Sequence, residues 1–242
     1  MKLEICCYNI QSCLIAAKAG ANRIELCANP ADGGTTPSYA TIKTVKEKTG
    51  IDIFPIIRPR GGDFLYDDDE FAMMQKDILL CQSLGCEGVV VGMLQADGTI
   101  DIKRNAKLVE LAYPMGVTFH RAFDRVADPF NTLQSLIEIG CERVLTSGQR
   151  PTAVEGAELL QQLVKQAGED IIVMPGSGVR ASNLTELITK TGAVEFHSSA
   201  SKKINSLMQF VNPLMNESLQ VDMAVEEEIE QMIKILQKAS SW

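Results

Sequence analysis

The chemistry-bearing residues of this chain are seven cysteines (Cys6, Cys7, Cys13, Cys27, Cys81, Cys86 and Cys141), two histidines (His120 and His197) and a set of carboxylates and arginines spaced by twos. Thiolates are soft ligands, and imidazoles exchange protons near neutral pH. An odd cysteine count in a long chain without a C-x-x-C pair argues against a disulfide framework and against a structural zinc site. The thiols are then either packing residues or ligands for a soft ion such as Cu(I).

Short apolar alternations set the direction of the polar residues between them, because side chains alternate along a strand. In RIELC (23–27), Ile24 and Leu26 on one face leave Glu25 and Cys27 on the other; in LEIC (3–6), Leu3 and Ile5 leave Glu4 and Cys6. Val117 and Phe119 leave Thr118 and His120, while Val194 and Phe196 leave Glu195, His197 and Ser199. Ile57 and Leu145, read as outward, leave Arg58 and Thr146 inward. Glycine-bearing loops follow: 58–63 with Arg58, Arg60 and Asp63, 146–151 with Ser147 and Gly148, and 175–183 with Gly176 and Gly178. Such loops either cradle an anion on backbone amides or merely turn tightly.

The elements that must position these residues form a weak internal repeat. In 17–27, 82–92, 137–148 and 190–199 a helix ends on a glycine (Gly20, Gly85, Gly140, Gly192) and a short β-branched run follows. Strands are expected near 3–8, 23–27, 52–58, 88–92, 116–120, 143–147, 171–175 and 194–198. Apolar periodicity places helices near 10–19, 38–48, 69–84, 102–112, 129–139, 153–167, 181–190 and 222–239. Eight βα units in 242 residues predict a single-domain α/β fold of the (β/α)8 TIM-barrel type over 1–242, with 201–242 as final loop and C-terminal helix. An open doubly wound sheet is the alternative, and even spacing favours the barrel. The apolar segment 201–221 is expected to pack over one end of the fold. The acidic run 66–70 reads as a helix start.

In a barrel the inward polar set converges on the C-terminal mouth, where barrel enzymes keep their sites. The cysteines then sort. Cys86 and Cys141 precede strands at the closed face, Cys13 and Cys81 lie on helices, and Cys7 faces the first helix. Cys6 and Cys27 remain, inward on neighbouring strands that a parallel ladder spaces about 4.8 Å apart. The charge balance, 23 basic against 31 acidic residues for a net charge of −8, argues against nucleic-acid binding. No apolar run approaches a membrane span, so a cytoplasmic protein is expected.

The motifs LEICCYN, RIELCANPADGGTTPS, IIRPRGGDFLYDDDEF, GVVVGMLQADGTID, VTFHRAFD, RVLTSGQRPTAVEG, IVMPGSGVR and EFHSSA together resemble the cytosolic copper homeostasis protein CutC family over residues 2 to about 200. That resemblance implies a (β/α)8 barrel, a homodimer, a cytoplasmic location and a role in copper tolerance through Cu(I) binding. By position Cys6 and Cys27 match the family's first two strand motifs, and the 58–63 loop, His120, Arg121, Asp124 and His197 match others. Two functional readings follow. In one, Cys6 and Cys27 bind Cu(I). In the other, the barrel is an enzyme on a small anionic or phosphorylated metabolite. There Glu25, His120 and His197 are acid–base candidates, and Arg58, Arg60, Asp63, Arg121, Asp124, Ser147, Gly148, Gly176, Gly178 and Ser199 are ligand-binding candidates.

Overall fold

In a computed structural model that describes residues 1–240, the βα alternation closes into a barrel. The parallel strands are β1 (Lys2–Cys7), β2 (Arg23–Leu26), β3 (Asp52–Pro55), β4 (Gly88–Val91), β5 (Gly116–Phe119), β6 (Arg143–Thr146), β7 (Ile172–Pro175) and β8 (Glu195–Ser198). Between them run α1 (Ile10–Lys18), α2 (Tyr39–Thr49), α3 (Asp68–Ser83), α4 (Ile102–Ala112), α5 (Pro129–Glu138), α6 (Ala157–Ala167) and α7 (Ala181–Thr191). Hydrogen-bonded order is β3-β2-β1-β8 on one side and β4-β5-β6-β7 on the other. The arcs join through a parallel bridge between Ile56 and Val90 and by β7 lying against β8. After β8 come the antiparallel strands β9 (Ser201–Ile204) and β10 (Val221–Ala224), then α8 (Glu226–Ala239).

Local chemistry explains the boundaries. Asp67 caps α3 by accepting from the Glu70 N–H at 2.8 Å, and Glu70 returns a bond to the Asp67 N–H at 3.0 Å, so the acidic run is a helix start. Gly20, Gly85, Gly140 and Gly192 all have positive φ, as the repeat required. The outward strand residues Ile5, Ile24, Ile53, Val89, Phe119, Val144 and Phe196 share one buried cluster with the helices. Inside the barrel a smaller cluster holds Cys6, Cys27, Phe54, Ile56 and Val90.

Three expectations change. Leu145 faces inward and Val144 outward, the reverse of the reading above, because two adjacent apolar residues left the parity of β6 ambiguous. Thr146 consequently leaves the interior and donates to Asp124 at 2.5 Å. Segment 201–221 does not pack over a barrel end: its ends pair as β9 and β10, and its tip projects with Leu207 99% and Leu214 87% exposed. Residues 222–224, assigned to the last helix, belong to β10, so α8 starts at Glu226.

Candidate functional site

The interior is charged from its closed end upward. Register pairs Glu4 with Arg23 on β2 and with His197 on β8. Arg23 donates through Nε to Glu4 and through Nη2 to Glu195 at 2.8 Å, and Arg143 Nε donates to the same Glu195 oxygen at 2.9 Å. The Phe54 ring lies 4.9 Å from the Arg23 guanidinium and 5.4 Å from that of Arg143. Burial would raise the carboxyls, yet Arg23 and His197 hold Glu4 down to about 2, and Arg23 and Arg143 keep Glu195 below its usual range. Arg23 and Arg143 were missed in sequence; they stand two residues before Glu25 and Leu145 on their strands, and that parity was the available signal.

Above this layer Glu4 Oε1 meets His197 Nδ1 at 2.7 Å, and His197 Nε2 lies 3.7 Å from Glu25 Oε2. Register pairs Cys6 with Glu25. The Cys6 and Cys27 sulfurs are 3.7 Å apart, and one ligand atom from each of Cys6, Glu25 and Cys27 falls within 4.8 Å of the others. The Cys27 thiol, aided by His197, holds Cys6 well below the ordinary thiol range, whereas burial pushes Cys27 well above it. Burial and the Cys6 charge push Glu25 well above the carboxylate range. Burial opposes the His197 charge, but its bonds to Cys6 and Glu4 and the nearby Glu25 hold it well above 6.5. The cluster can supply one thiolate, a second thiol and a carboxyl to a ligand, with a charged imidazole beside them.

A cavity of about 220 Å³ opens above the thiols at the C-terminal ends of the strands. Of the sequence candidates, Cys6, Glu25, Arg58, His120, Arg121, Gly178, His197 and Ser199 line it. Cys27 is 1% exposed and sits against Cys6 below. The remaining candidates hold the surrounding loops. Arg60 binds Glu70 at 2.5 Å and Asp63 at 2.9 Å at the surface. Asp124 accepts from Thr146, Ser147 and Arg121, which ties the loop after β5 to that after β6. Gly148 packs on Gly156, where a Cβ would meet a carbonyl oxygen at 2.4 Å, and Gly176 packs on Leu145 and His197. Tyr8, Phe64, Ser177, Val179, Arg180 and Ser198 also line it and were missed. Apart from Ser198, the last residue of β8, they come from loops whose course strand alternation does not determine.

Of the other five cysteines, Cys7, Cys13, Cys81, Cys86 and Cys141 belong to the outer core, as the sequence sorted them. No helix among the described residues is long and apolar enough to cross a membrane.

Comparison with known proteins bears on this site. The model of the CutC family matches residues 1–202. A CutC family protein of Parabacteroides distasonis is 52% identical over 211 residues, 87% of each chain. One of Chromobacterium violaceum is 49% identical over 208 residues, 86% of this chain and 84% of that one. The crystal structure of CutC from Streptococcus agalactiae, a protein named there for copper homeostasis, superposes with a TM-score of 0.78 at 33% identity, over 82% of this chain and 98% of that one. Thiamine phosphate pyrophosphorylase from Pyrococcus furiosus, at 14% identity and a TM-score of 0.60 over 98% of this chain and 96% of that one, shares the barrel fold alone.

Proposed function

The chain belongs to the CutC family, and from that premise we propose that it is a cytoplasmic, homodimeric copper-homeostasis protein whose Cys6 and Cys27 bind Cu(I). The observation that carries this reading is the pair of buried sulfurs 3.7 Å apart inside the barrel. Thiolates are the ligands that Cu(I) prefers, and carboxylates are not. The donor set therefore suits a soft monovalent ion, with Glu25 as a neighbouring oxygen. A buried thiol of a purely structural kind packs against apolar side chains, as Cys141 does. Cys6 instead faces His197 and Glu25 at the floor of a cavity. The family match favours this reading over the barrel-enzyme one.

In this reading Cys6 and Cys27 hold the ion. Glu4 fixes the His197 ring through Nδ1, and the Cys27 thiol, aided by His197, holds the Cys6 thiol well below its ordinary range, which favours the thiolate a soft ion takes. Anaerobic titration with Cu(I) against a chromophoric chelator tests it. The native protein is expected to take up one equivalent, and the Cys6→Ser, Cys27→Ser double variant to lose that uptake while keeping its circular dichroism. Equal competition by the double variant would overturn the proposal.

A further inference from the structure

The thiol cluster accounts for the floor of the cavity and leaves its upper half without a role. Two arginines there lack counter-ions. Arg58 is 5% exposed, and its guanidinium donates to three backbone carbonyls: Asp32 at 2.6 Å, Gly34 at 2.8 Å and Gly62 at 2.9 Å. It also stacks 5.0 Å over the Phe64 ring. Its Nε has no acceptor; the nearby Tyr66 hydroxyl, itself unpartnered, is its polar neighbour. Arg180 donates to the Ser201 carbonyl at 3.1 Å. Among the described residues no carboxylate lies within ion-pair distance of either guanidinium, although the chain carries a net charge of −8 and pairs its arginines 23, 60, 104, 121 and 143 with acids. Arg58 is thus a buried charge held by carbonyl dipoles and Arg180 a half-buried one at the rim, and both keep an uncompensated positive charge that an anion can match. The carboxyl that shares the cavity, Glu25, is turned to His197.

His120 supplies a second, independent observation. Its Nδ1 accepts from the Ala122 N–H at 3.2 Å, which fixes the tautomer with the proton on Nε2. That Nε2–H is buried and has no acceptor, and the His120 side chain lines the cavity. The ring packs directly on Gly92 just after β4, where an added Cβ would fall 2.5 Å from its Cε1. Phe64 flanks it at 4.9 Å between centroids. A fixed donor beside an uncompensated cation asks for an acceptor oxygen on an anion.

The position of Arg180 narrows the class. It stands at the N-cap position of α7, at the end of the loop after β7, and shares the cavity lining with Ser198 at the end of β8 and Ser199 after it, the part of a barrel mouth where phosphate groups are held. The Ala181 N–H is already taken by Glu228 at 2.9 Å, so the cation at this rim is Arg180 and not the helix end.

We propose that the upper cavity binds a small phosphorylated metabolite, its phosphate held by Arg180 and the 177–179 and 198–199 edges, and an oxygen of its carbon body held by His120 Nε2–H beside Arg58. The volume leaves room for a ligand well beyond the ~10–15 Å³ that one water needs. This inference is independent of copper, since neither thiol is used.

The test is calorimetric titration and thermal shift with glycerol 3-phosphate and inorganic phosphate, and with glycerol and malonate as controls. Millimolar phosphate ligands are expected to bind and raise the melting temperature, and the controls are not. Loss of one charge-assisted contact in R180A is expected to weaken binding about tenfold to hundredfold. H120F, which removes the donor, is expected to behave likewise, and H120Q, which restores an N–H there, to recover most of the affinity. The C6S/C27S protein should bind phosphate ligand as the native protein does, which separates this outcome from a failure of the copper reading. No binding of either phosphate at millimolar concentration, equal binding of malonate, or affinities in R180A and H120F that match the native protein would each overturn the proposal.

Discussion

The two histidines show how little a residue's type says until its neighbours are known. Alternation sent both inward, yet their surroundings drive them apart. His120 is buried beside the Arg58 charge with no carboxylate and falls to about 3, while His197 sits among Glu4, Glu25 and Cys6 and rises well above 6.5. Those partners come from β1, β2 and the loop after β3, so no local pattern could have told the two apart. The shift at His120 makes a signed prediction. Its folded value lies below the ordinary 6.5, so below that pH the unfolded chain takes a proton that the folded chain refuses, and stability falls with pH down to about 3. Glutamine at 120 does not titrate. Urea denaturation of native protein and H120Q from pH 7 to pH 4 should show the native protein losing ground to the variant by about 1.4 kcal/mol per pH unit once pH is well below 6.5. Parallel stability curves would mean that His120 is protonated in the folded protein.

Among the elements, the strands carry an unusual load, because the closed half of the barrel is filled by ions where branched apolar residues are the rule. Glu4 on β1, Arg23 on β2, Arg143 on β6 and Glu195 on β8 satisfy one another across the interior, with Phe54 of β3 against both guanidinium groups. Removing one member leaves others buried and uncompensated. R23M should therefore lower the unfolding free energy by about 3–5 kcal/mol in urea, and adding E4Q should recover part of that loss. R60A, which breaks a surface pair, should cost under about 1 kcal/mol. Equal costs for R23M and R60A would show the buried network to be energetically idle. The order of the elements and most of their inward faces were legible, because one outward apolar residue every second position fixes parity wherever polar residues stand between, as in RIELC and VTFH. Where Val144 and Leu145 adjoin, that rule gives no answer, and β6 was read a residue out of phase. The floor of the site, Cys6, Glu25, Cys27 and His197, was legible for the same reason. Arg180 and Phe64 were not, because their placement depends on loop paths after β7 and β3.

For the whole molecule, the open question is what covers the projecting arm. The family match ends at residue 202, just where β9 begins, and between β9 and β10 the chain exposes Leu207, Phe210, Val211 and Leu214, from 61% to 99%. Monomeric proteins rarely present so much apolar surface in one segment. The homodimer proposed above offers a second copy of the chain as its cover. The arm's hydrogen bonds beyond its strands, such as Gln220 to Asn205 at 2.9 Å, stay within the arm, whereas β10 is anchored to α1 through Ser12 and to Asn9 through the Asp222 carbonyl. Replacing 205–220 by a short Gly-Ser turn therefore removes the apolar tip and keeps the anchored strands. Sedimentation should then find a dimer for the native chain and a monomer for the shortened one. The melting temperature at matched concentration should change by no more than about 4 °C if the arm contributes about 1 kcal/mol or less to the barrel itself. A shortened chain that still sediments as a dimer would place the subunit contact elsewhere on the barrel and leave the arm without a partner of its own kind.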